Sequence, residues 1–139
     1  MTSEQSKAVI NRFIEEALNQ NNLAVLDEIV AEDFVEEVPF PGQGPGRAGL
    51  RAVLVAFNAA FPDIHWKVEE QVAEGEKVVT RFSWTGTHRG DFLGIPATGK
   101  SVSVWGVVID VVQNGLFARS RILMDRVGLL GQLGVLPPR

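Results

Sequence analysis

The chain has 139 residues, a formal net charge of −4 and no cysteine, and 45% of its residues are apolar. This length predicts one domain, residues 1–139, that can bury a core without disulfides or metals. The absence of cysteine excludes disulfide bonds and thiolate metal sites. The scattered Lys and Arg residues argue against a nucleic-acid partner.

Missing patterns argue against several other classes of protein. No run of about 18 apolar residues occurs, so we expect no membrane span. Residues 1–7 are polar and lack the pattern of a secretory signal, so we expect a cytoplasmic protein. Phosphate-binding glycine fingerprints and the HExxH spacing are absent, and the chain has two histidines, His65 and His88. The sequence therefore predicts no metal site and no cofactor.

The first half of the chain has helical periodicity. Apolar residues recur at helical spacing behind Thr2 and Gln5, which have the spacing of a capping box, so a helix is predicted over residues 3–20. The further predicted elements are a short helix over 23–30, a strand over 34–38, a loop over 40–49 and a third helix from Leu50 that Pro62 ends by about Phe61.

After Pro62 the apolar period changes to two, which predicts strands. We expect four long strands over 64–72, 77–87, 101–112 and 116–124, then a helical turn over 127–133, with Pro137-Pro138 ending the ordered chain. Gln113-Asn114-Gly115 is a strong hairpin signal. Helices followed by antiparallel strands indicate an α+β fold, in which a curved, mostly antiparallel sheet wraps around three helices and encloses a pocket.

Asp125 is the most informative single position, because it ends an apolar strand. A carboxylate there, between Leu123 and Leu129, would have a raised pKa if it were desolvated, and it could then act as a general acid or base. The alternative is that Asp125 is the N-cap of the terminal helical turn.

Glu36 and Glu37 lie on the short strand, where alternation sends one side chain inward and the other outward. An inward glutamate could form a carboxylate pair with Asp125, which would raise the pKa of one of the two groups. The alternative is that both glutamates are solvated at a strand edge.

Other polar residues in the strands have two interpretations each. Arg81 and Arg121 could hold a developing negative charge or span neighbouring strands at the surface. Asp110 could be an edge residue or the partner of an inward arginine. His88, at the start of a long loop, could transfer protons or bond to backbone, whereas His65 lies on the polar face of its strand.

The aromatic residues could line a pocket for a flat apolar ligand or could belong to the core. We predict a substrate-binding role for Arg81 and Leu123 together with six aromatic residues: Phe13, Phe40, Phe57, Phe61, Trp84 and Trp105. Tyrosine is absent, which removes a phenolic donor for an oxyanion.

Five stretches, in order, resemble the SnoaL-like polyketide cyclase (ester cyclase) family. They are NQNNL at 19–23, AEDFV at 31–35, FPD at 61–63, TGTHRG with GIPATG at 85–90 and 94–99, and DRVGLLGQLG at 125–134. The resemblance implies the cone-shaped α+β fold shared with ketosteroid isomerase, scytalone dehydratase and nuclear transport factor. It also implies chemistry without a cofactor and dimers or higher oligomers built on the open sheet face.

In the cyclases an aspartate at the end of the last strand is the acid and base of an intramolecular aldol ring closure, and Asp125 stands at that position. The chain also departs from the family. Glu36-Glu37 stands where Asp-His is frequent, Arg121 stands where Trp is frequent, and a polar residue is frequent near Val108.

We therefore predict a cofactor-free acid/base enzyme that acts on a small apolar carbonyl or hydroxyl compound. Asp125 would move the proton, Arg121 or Arg81 would stabilise negative charge, and Glu37 or His88 would complete the relay. Aldol cyclisation is the first expectation. Isomerisation, dehydration, epoxide hydrolysis, binding of a hydrophobic ligand without turnover, and an interaction domain acting through its sheet face are the alternatives.

Overall fold

The computed structural model describes residues 2–135, and the predicted end of order at Pro137-Pro138 lies outside them. The fold is α+β, as predicted. Its elements are α1 (Ser3–Arg12), a π-helical segment (Phe13–Asn19), a 3₁₀ turn (Leu23–Val25), α2 (Leu26–Ile29), β1 (Val30–Glu36), α3 (Gly46–Ala60), β2 (His65–Glu74), β3 (Lys77–Thr87), β4 (Ser101–Gln113), β5 (Leu116–Met124) and α4 (Arg126–Leu133).

The five strands form one sheet in the order β1-β5-β4-β3-β2. The three pairs from β2 to β5 are antiparallel, whereas β1 pairs with β5 in parallel. Asn114 and Gly115 have positive φ angles of 53° and 78° in the tight turn between β4 and β5, as the hairpin signal predicts.

Several elements differ from the predictions, and α3 begins at Gly46, inside the predicted loop, rather than at Leu50. The first helix spans the predicted residues, but its last part, Phe13–Asn19, is wound as a π-helix, a geometry that hydrophobic spacing does not report. Strand β1 begins at Val30, four residues earlier than predicted, because Val30 pairs with Phe117 of β5. Pairing with a distant strand therefore overrides the helical spacing at Val30.

The helices lie on the inner face of the sheet, where two groups of buried side chains form the core. One group joins α1 and the π-helical segment to β1, and includes Phe13, Phe34 and Phe117. The other joins the end of α3 to the strands and to α4, and includes Phe61 and Trp84. No helix within residues 2–135 is long and apolar enough to cross a bilayer.

The edge strand β2 is tied to the π-helical segment by one side chain. The Asn19 amide donates to the Trp66 carbonyl at 3.0 Å and accepts from the Trp66 backbone N–H at 2.7 Å. This pair of bonds satisfies backbone groups at the edge of the sheet and sets the position of the Trp66 ring between the two core groups.

Candidate active site

A cavity of about 90 Å³ lies between the helices and the inner face of the sheet. Its helical wall is apolar and consists of Phe13, Ile14, Leu18, Leu50, Val53, Leu54 and Phe57. Its sheet wall consists of Phe34, Glu36, Trp66, Lys67, Val68, Thr80, Phe82, Val108, Asp110, Phe117, Ser120, Ile122 and Met124. Polar groups are thus concentrated on the sheet side of a mostly apolar hollow.

Phe40 and Gln43 form the outer wall of the cavity. The Phe40 N–H donates to the Gln43 side chain at 3.0 Å, and the Gln43 N–H donates to the Phe40 carbonyl at 2.9 Å. The Phe40 ring packs edge-on against Phe57, with 5.1 Å between centroids, and lies under the Arg126 guanidinium at 4.8 Å. The turn is therefore braced by its own hydrogen bonds and by contacts on both sides.

Glu36, Ser120 and Asp110 lie in one row across three strands. Ser120 of β5 is the register partner of Glu36 on β1 and of Asp110 on β4. Residues opposite each other in neighbouring strands project to the same face, so all three side chains reach the cavity. The parallel pairing of β1 with β5 brings the two carboxyl groups together.

Asp110 is almost completely buried, with 3% of its surface exposed, and its Oδ1 has no hydrogen-bond partner among the described residues. Burial raises the pKa of Asp110 well above its usual value, and the nearby Glu36 carboxylate raises it further, against a hydrogen bond from Ser120. Asp110 therefore retains its proton at a pH where an exposed aspartate is ionised.

Glu36 is half-buried and is held by backbone donors. Its Oε2 accepts from the N–H groups of Val38 at 3.0 Å and Ile122 at 3.3 Å. Burial raises the pKa of Glu36, and these donors and Ser120 oppose the rise because they stabilise the ionised form. Of the two carboxyl groups, Glu36 is the one whose environment supports negative charge.

The pair therefore combines a protonated carboxyl group and a carboxylate in one apolar cavity. Environments that separate the pKa values of two neighbouring carboxyl groups assign them opposite roles in proton transfer. Asp110 can donate a proton or a hydrogen bond to a ligand oxygen, and Glu36 can accept a proton from a ligand.

We expect Asp110→Asn to stabilise the protein at neutral and alkaline pH. A raised pKa means that the native state keeps a proton that the unfolded state releases. Asp110 therefore makes its full contribution to stability only below about pH 3.9, the pKa of aspartate in the unfolded state. This contribution is lost as pH rises through the pKa of Asp110 in the native state. The variant removes this loss, because asparagine has no proton to release.

The measurement is urea unfolding of both proteins from about pH 5 to about pH 8. The free energy of unfolding of the wild type should fall relative to that of Asp110→Asn as pH rises. Asp33→Asn, an exposed aspartate on β1, is the matched control and should keep the wild-type profile. Parallel profiles for wild type and Asp110→Asn would contradict the raised pKa.

Asp125 does not line the cavity. It is the N-cap of α4, where its Oδ1 accepts from the Gly128 N–H at 2.9 Å, and it is half-buried beside a surface groove. The apolar hollow predicted around this carboxylate is thus found around Asp110 instead. The proton-transfer role of Asp125 stays a prediction, and its capping role is the one with observed contacts.

Glu37, Arg121 and Arg81 project from the outer face of the sheet. Glu37 accepts from Arg121 at 2.6 Å and from Arg119 at 3.0 Å, and these hydrogen bonds lower its pKa. Arg81 pairs with Glu70 at 2.8 Å. The structure therefore places Glu36, and not Glu37, at the cavity, and it places both predicted arginines away from it because strand alternation turns them outward.

His88 is completely buried but is not among the residues that line the cavity. Its Nδ1 accepts from the Thr98 N–H at 3.2 Å and lies 3.0 Å from the Thr98 hydroxyl, so the ring proton is on Nε2. The backbone of His88 also bonds Gly99 and Lys100. His88 thus joins the long loop to β3, which matches the backbone-bonding alternative.

Apart from Arg81, which projects from the outer face, the predicted substrate-binding residues fall into three groups. Phe13, Phe40 and Phe57 line the cavity. Phe61 and Trp84 are fully buried in the core and do not reach it. Trp105 and Leu123 are 56% and 61% exposed on the outer face of the sheet.

Sequence reasoning did not assign Asp110 and Ser120 to the site. Strand β4 is apolar on both faces near Asp110, so its alternation gives no direction for this side chain. One signal was available, because Asp110 shares its period-two face with the buried Val104, Val108 and Val112. Within residues 2–135, no three His, Asp or Glu side chains are grouped so that they could hold a metal ion.

The model of the SnoaL-like polyketide cyclase family matches residues 8–133. TsrD from Streptomyces laurentii is 30% identical, with a TM-score of 0.88 over 98% of this chain and 99% of that one. IdmH from Streptomyces antibioticus, a candidate polyketide cyclase, is 31% identical, with a TM-score of 0.81 over 94% and 99%. AclR from Streptomyces galilaeus, a candidate hydroxylase, is 25% identical, with a TM-score of 0.83 over 99% and 89%. No curated protein matches the chain.

Proposed function

Since the chain belongs to the SnoaL-like polyketide cyclase family, as its motifs predict, we propose that it is an enzyme that transfers protons within its cavity. Asp110 is the acid and Glu36 is the base. The observation that carries this proposal is the buried Oδ1 of Asp110, which has no partner within residues 2–135 and lies in a cavity that Asp110 shares with Glu36. A buried polar atom without a partner carries a free-energy cost that a ligand oxygen would remove.

The proposed reaction begins with a neutral carbonyl compound. Asp110 donates its proton to the carbonyl oxygen while the Glu36 carboxylate removes a proton from the adjacent carbon, which converts the ketone to its enol. Enolisation leaves Asp110 as a carboxylate and Glu36 as a carboxylic acid. The enol carbon can then attack a second carbonyl of the same molecule, while Asp110 takes the enol O–H proton as the first ketone re-forms and Glu36 gives its proton to the oxygen of the second carbonyl. This is the aldol ring closure expected from the family resemblance, and it restores both carboxyl groups to their starting state.

The size of the cavity limits the ligand. The cavity has a volume of about 90 Å³, less than the roughly 300–1,000 Å³ of ordinary ligand pockets. Phe40 and Gln43 also line an adjoining surface depression of about 200 Å³ beside Ala52 and Ala56. A multi-ring substrate would therefore require displacement of this turn, and a single small ring is the largest ligand that we expect in the cavity as it stands.

Proton exchange tests the proposal without knowledge of the natural substrate. In deuterium oxide, we expect the wild-type protein to accelerate the incorporation of deuterium at the two carbons next to the carbonyl of cyclopentanone. Proton NMR measures the rate as the loss of signal from these positions. The probe is small enough for the cavity and has no other exchangeable carbon position. Binding of cyclopentanone without faster exchange would favour a ligand-binding protein over an enzyme.

We also propose that the protein forms a homodimer through the outer face of its sheet. Exposed apolar side chains follow one another across this face: Val72 on β2, Trp105 and Ile109 on β4, and Leu123 on β5. Exposed apolar groups that extend across several strands are typical of protein interfaces. The charged cluster of Glu37 with Arg119 and Arg121 lies on the same face, where it suits an interface rim.

We expect Leu123→Glu to convert the dimer to a monomer, because the new carboxylate would be buried without a partner in the interface. Light scattering coupled to size-exclusion chromatography gives the molar mass directly. Val55→Glu, at a 52% exposed position of α3, is the control and should stay dimeric. A monomeric wild type, or a Leu123→Glu variant that stays dimeric, would contradict an interface on this face.

A further inference from the structure

The charged residues that line the cavity are mainly acidic. Glu36 on β1 and Asp110 on β4 lie on its sheet wall, and the helical wall contributes no charged residue. Lys67 on β2 is the cationic residue among the lining residues of the described chain. Its side chain is 69% exposed and lies 3.8 Å from Glu69, so its charge faces solvent and another carboxylate.

The arginines nearest in sequence do not change this distribution. Arg119 and Arg121 alternate with Ser120 along β5 and therefore project from the opposite face of the sheet. Their charges are paired with Glu37 there. A ligand with a full negative charge would thus meet the Glu36 carboxylate inside the cavity and, among the described lining residues, no cation beside it.

The aromatic side chains that line the cavity favour a positively charged ligand. The rings of Phe13, Phe57 and Trp66 line the same hollow, and ring faces attract cations. We propose that the cavity selects a ligand that is positively charged, or becomes so in the reaction, where it meets Glu36 and Asp110, and that it binds small organic ammonium ions reversibly. This inference rests on the proposed function and adds that the carbonyl is partly positive when Glu36 removes the proton from carbon, so no free enolate forms.

Three probes of similar size and different charge test the proposal. They are pyrrolidinium, neutral cyclopentanone and cyclopropanecarboxylate, each titrated into the nitrogen-15-labelled protein and followed by amide chemical shifts. We expect pyrrolidinium to bind at least about tenfold more tightly than cyclopentanone, and cyclopropanecarboxylate to bind more weakly than either. The pyrrolidinium affinity should increase with pH, because ionisation of Asp110 adds a second negative charge.

Variants of the two carboxyl groups test which of them recognises pyrrolidinium. Glu36→Gln should lower pyrrolidinium affinity by about tenfold, whereas Asp110→Asn should keep it near the wild-type value where Asp110 is protonated and should remove its increase with pH. Asp33→Asn, the exposed control, should change neither. Equal or tighter binding of the carboxylate would overturn the charge selectivity, as would a pyrrolidinium affinity that Glu36→Gln retains. Deuterium exchange into cyclopentanone is a separate readout, so exchange without ammonium preference would overturn this inference alone.

Discussion

Asp110→Asn should lower the rate of deuterium exchange into cyclopentanone by about 10²- to 10⁴-fold, the range in which one acid or base group contributes to proton transfer. Asparagine keeps the size of the side chain and can still donate a hydrogen bond to the carbonyl oxygen. It cannot transfer a proton to that oxygen. The expected loss is therefore in the exchange rate, with cyclopentanone affinity close to that of the wild type.

Glu36→Gln should produce a loss of similar size, because glutamine cannot remove the proton from carbon. The double variant should lose little more than either single variant, since the two groups act in one step. A retained exchange rate in Asp110→Asn would contradict our assignment.

Asp125→Asn distinguishes our assignment from the one implied by the family resemblance. Asparagine is as good an N-cap as aspartate, so α4 should keep its start and the fold should be unchanged. We expect an exchange rate within about threefold of the wild type. A loss comparable to that of Asp110→Asn would instead support Asp125 as the proton-transfer group and would contradict the geometry described for the cavity.

Trp84→Ala should destabilise the protein by about 3–5 kcal/mol, the usual cost of removing a large aromatic side chain from a core. Trp84 is completely buried, and its ring centroid lies 5.0 Å from that of Phe61, 5.8 Å from that of Trp66 and 5.9 Å from that of Phe57. A natural domain has about 5–15 kcal/mol of stability in total, so this variant is expected to be close to unfolding.

Trp84→Phe separates packing from hydrogen bonding. The Trp84 indole N–H has no partner among the described residues, so phenylalanine removes an unsatisfied donor while it keeps most of the ring contacts. We expect a smaller loss than in Trp84→Ala, measured by urea unfolding. Val55→Ala, at an exposed position of α3, should change stability by less than about 0.5 kcal/mol. A loss below about 1 kcal/mol in Trp84→Ala would contradict the core position of this ring.

Most of the fold follows from local patterns in the chain. The predicted bounds of β3 and β5 agree with the structure because period-two alternation and turn residues act within a few positions. The Thr2–Gln5 capping box is present, for the same reason. The family was also readable from the sequence, since its motifs are short contiguous stretches.

The position of the site depended on contacts that local patterns do not contain. Asp125 was readable as a helix cap or as a reactive carboxylate, and its hydrogen bond to Gly128 supports the first interpretation. Alternation indicated that Glu36 and Glu37 face opposite ways. It could not say which faces inward, because that depends on how β1 lies against β5.

The sequence by itself therefore determined the α+β architecture, the hairpin at Asn114-Gly115 and the family. The tertiary structure decided which carboxyl groups share the cavity. Glu36 and Asp110 are separated by most of the chain, and they meet through Ser120 because β1 pairs in parallel with the last strand. This pairing joins residues far apart in the chain and forms because it buries the inner face of the sheet. The spacing of residues within either strand does not specify it.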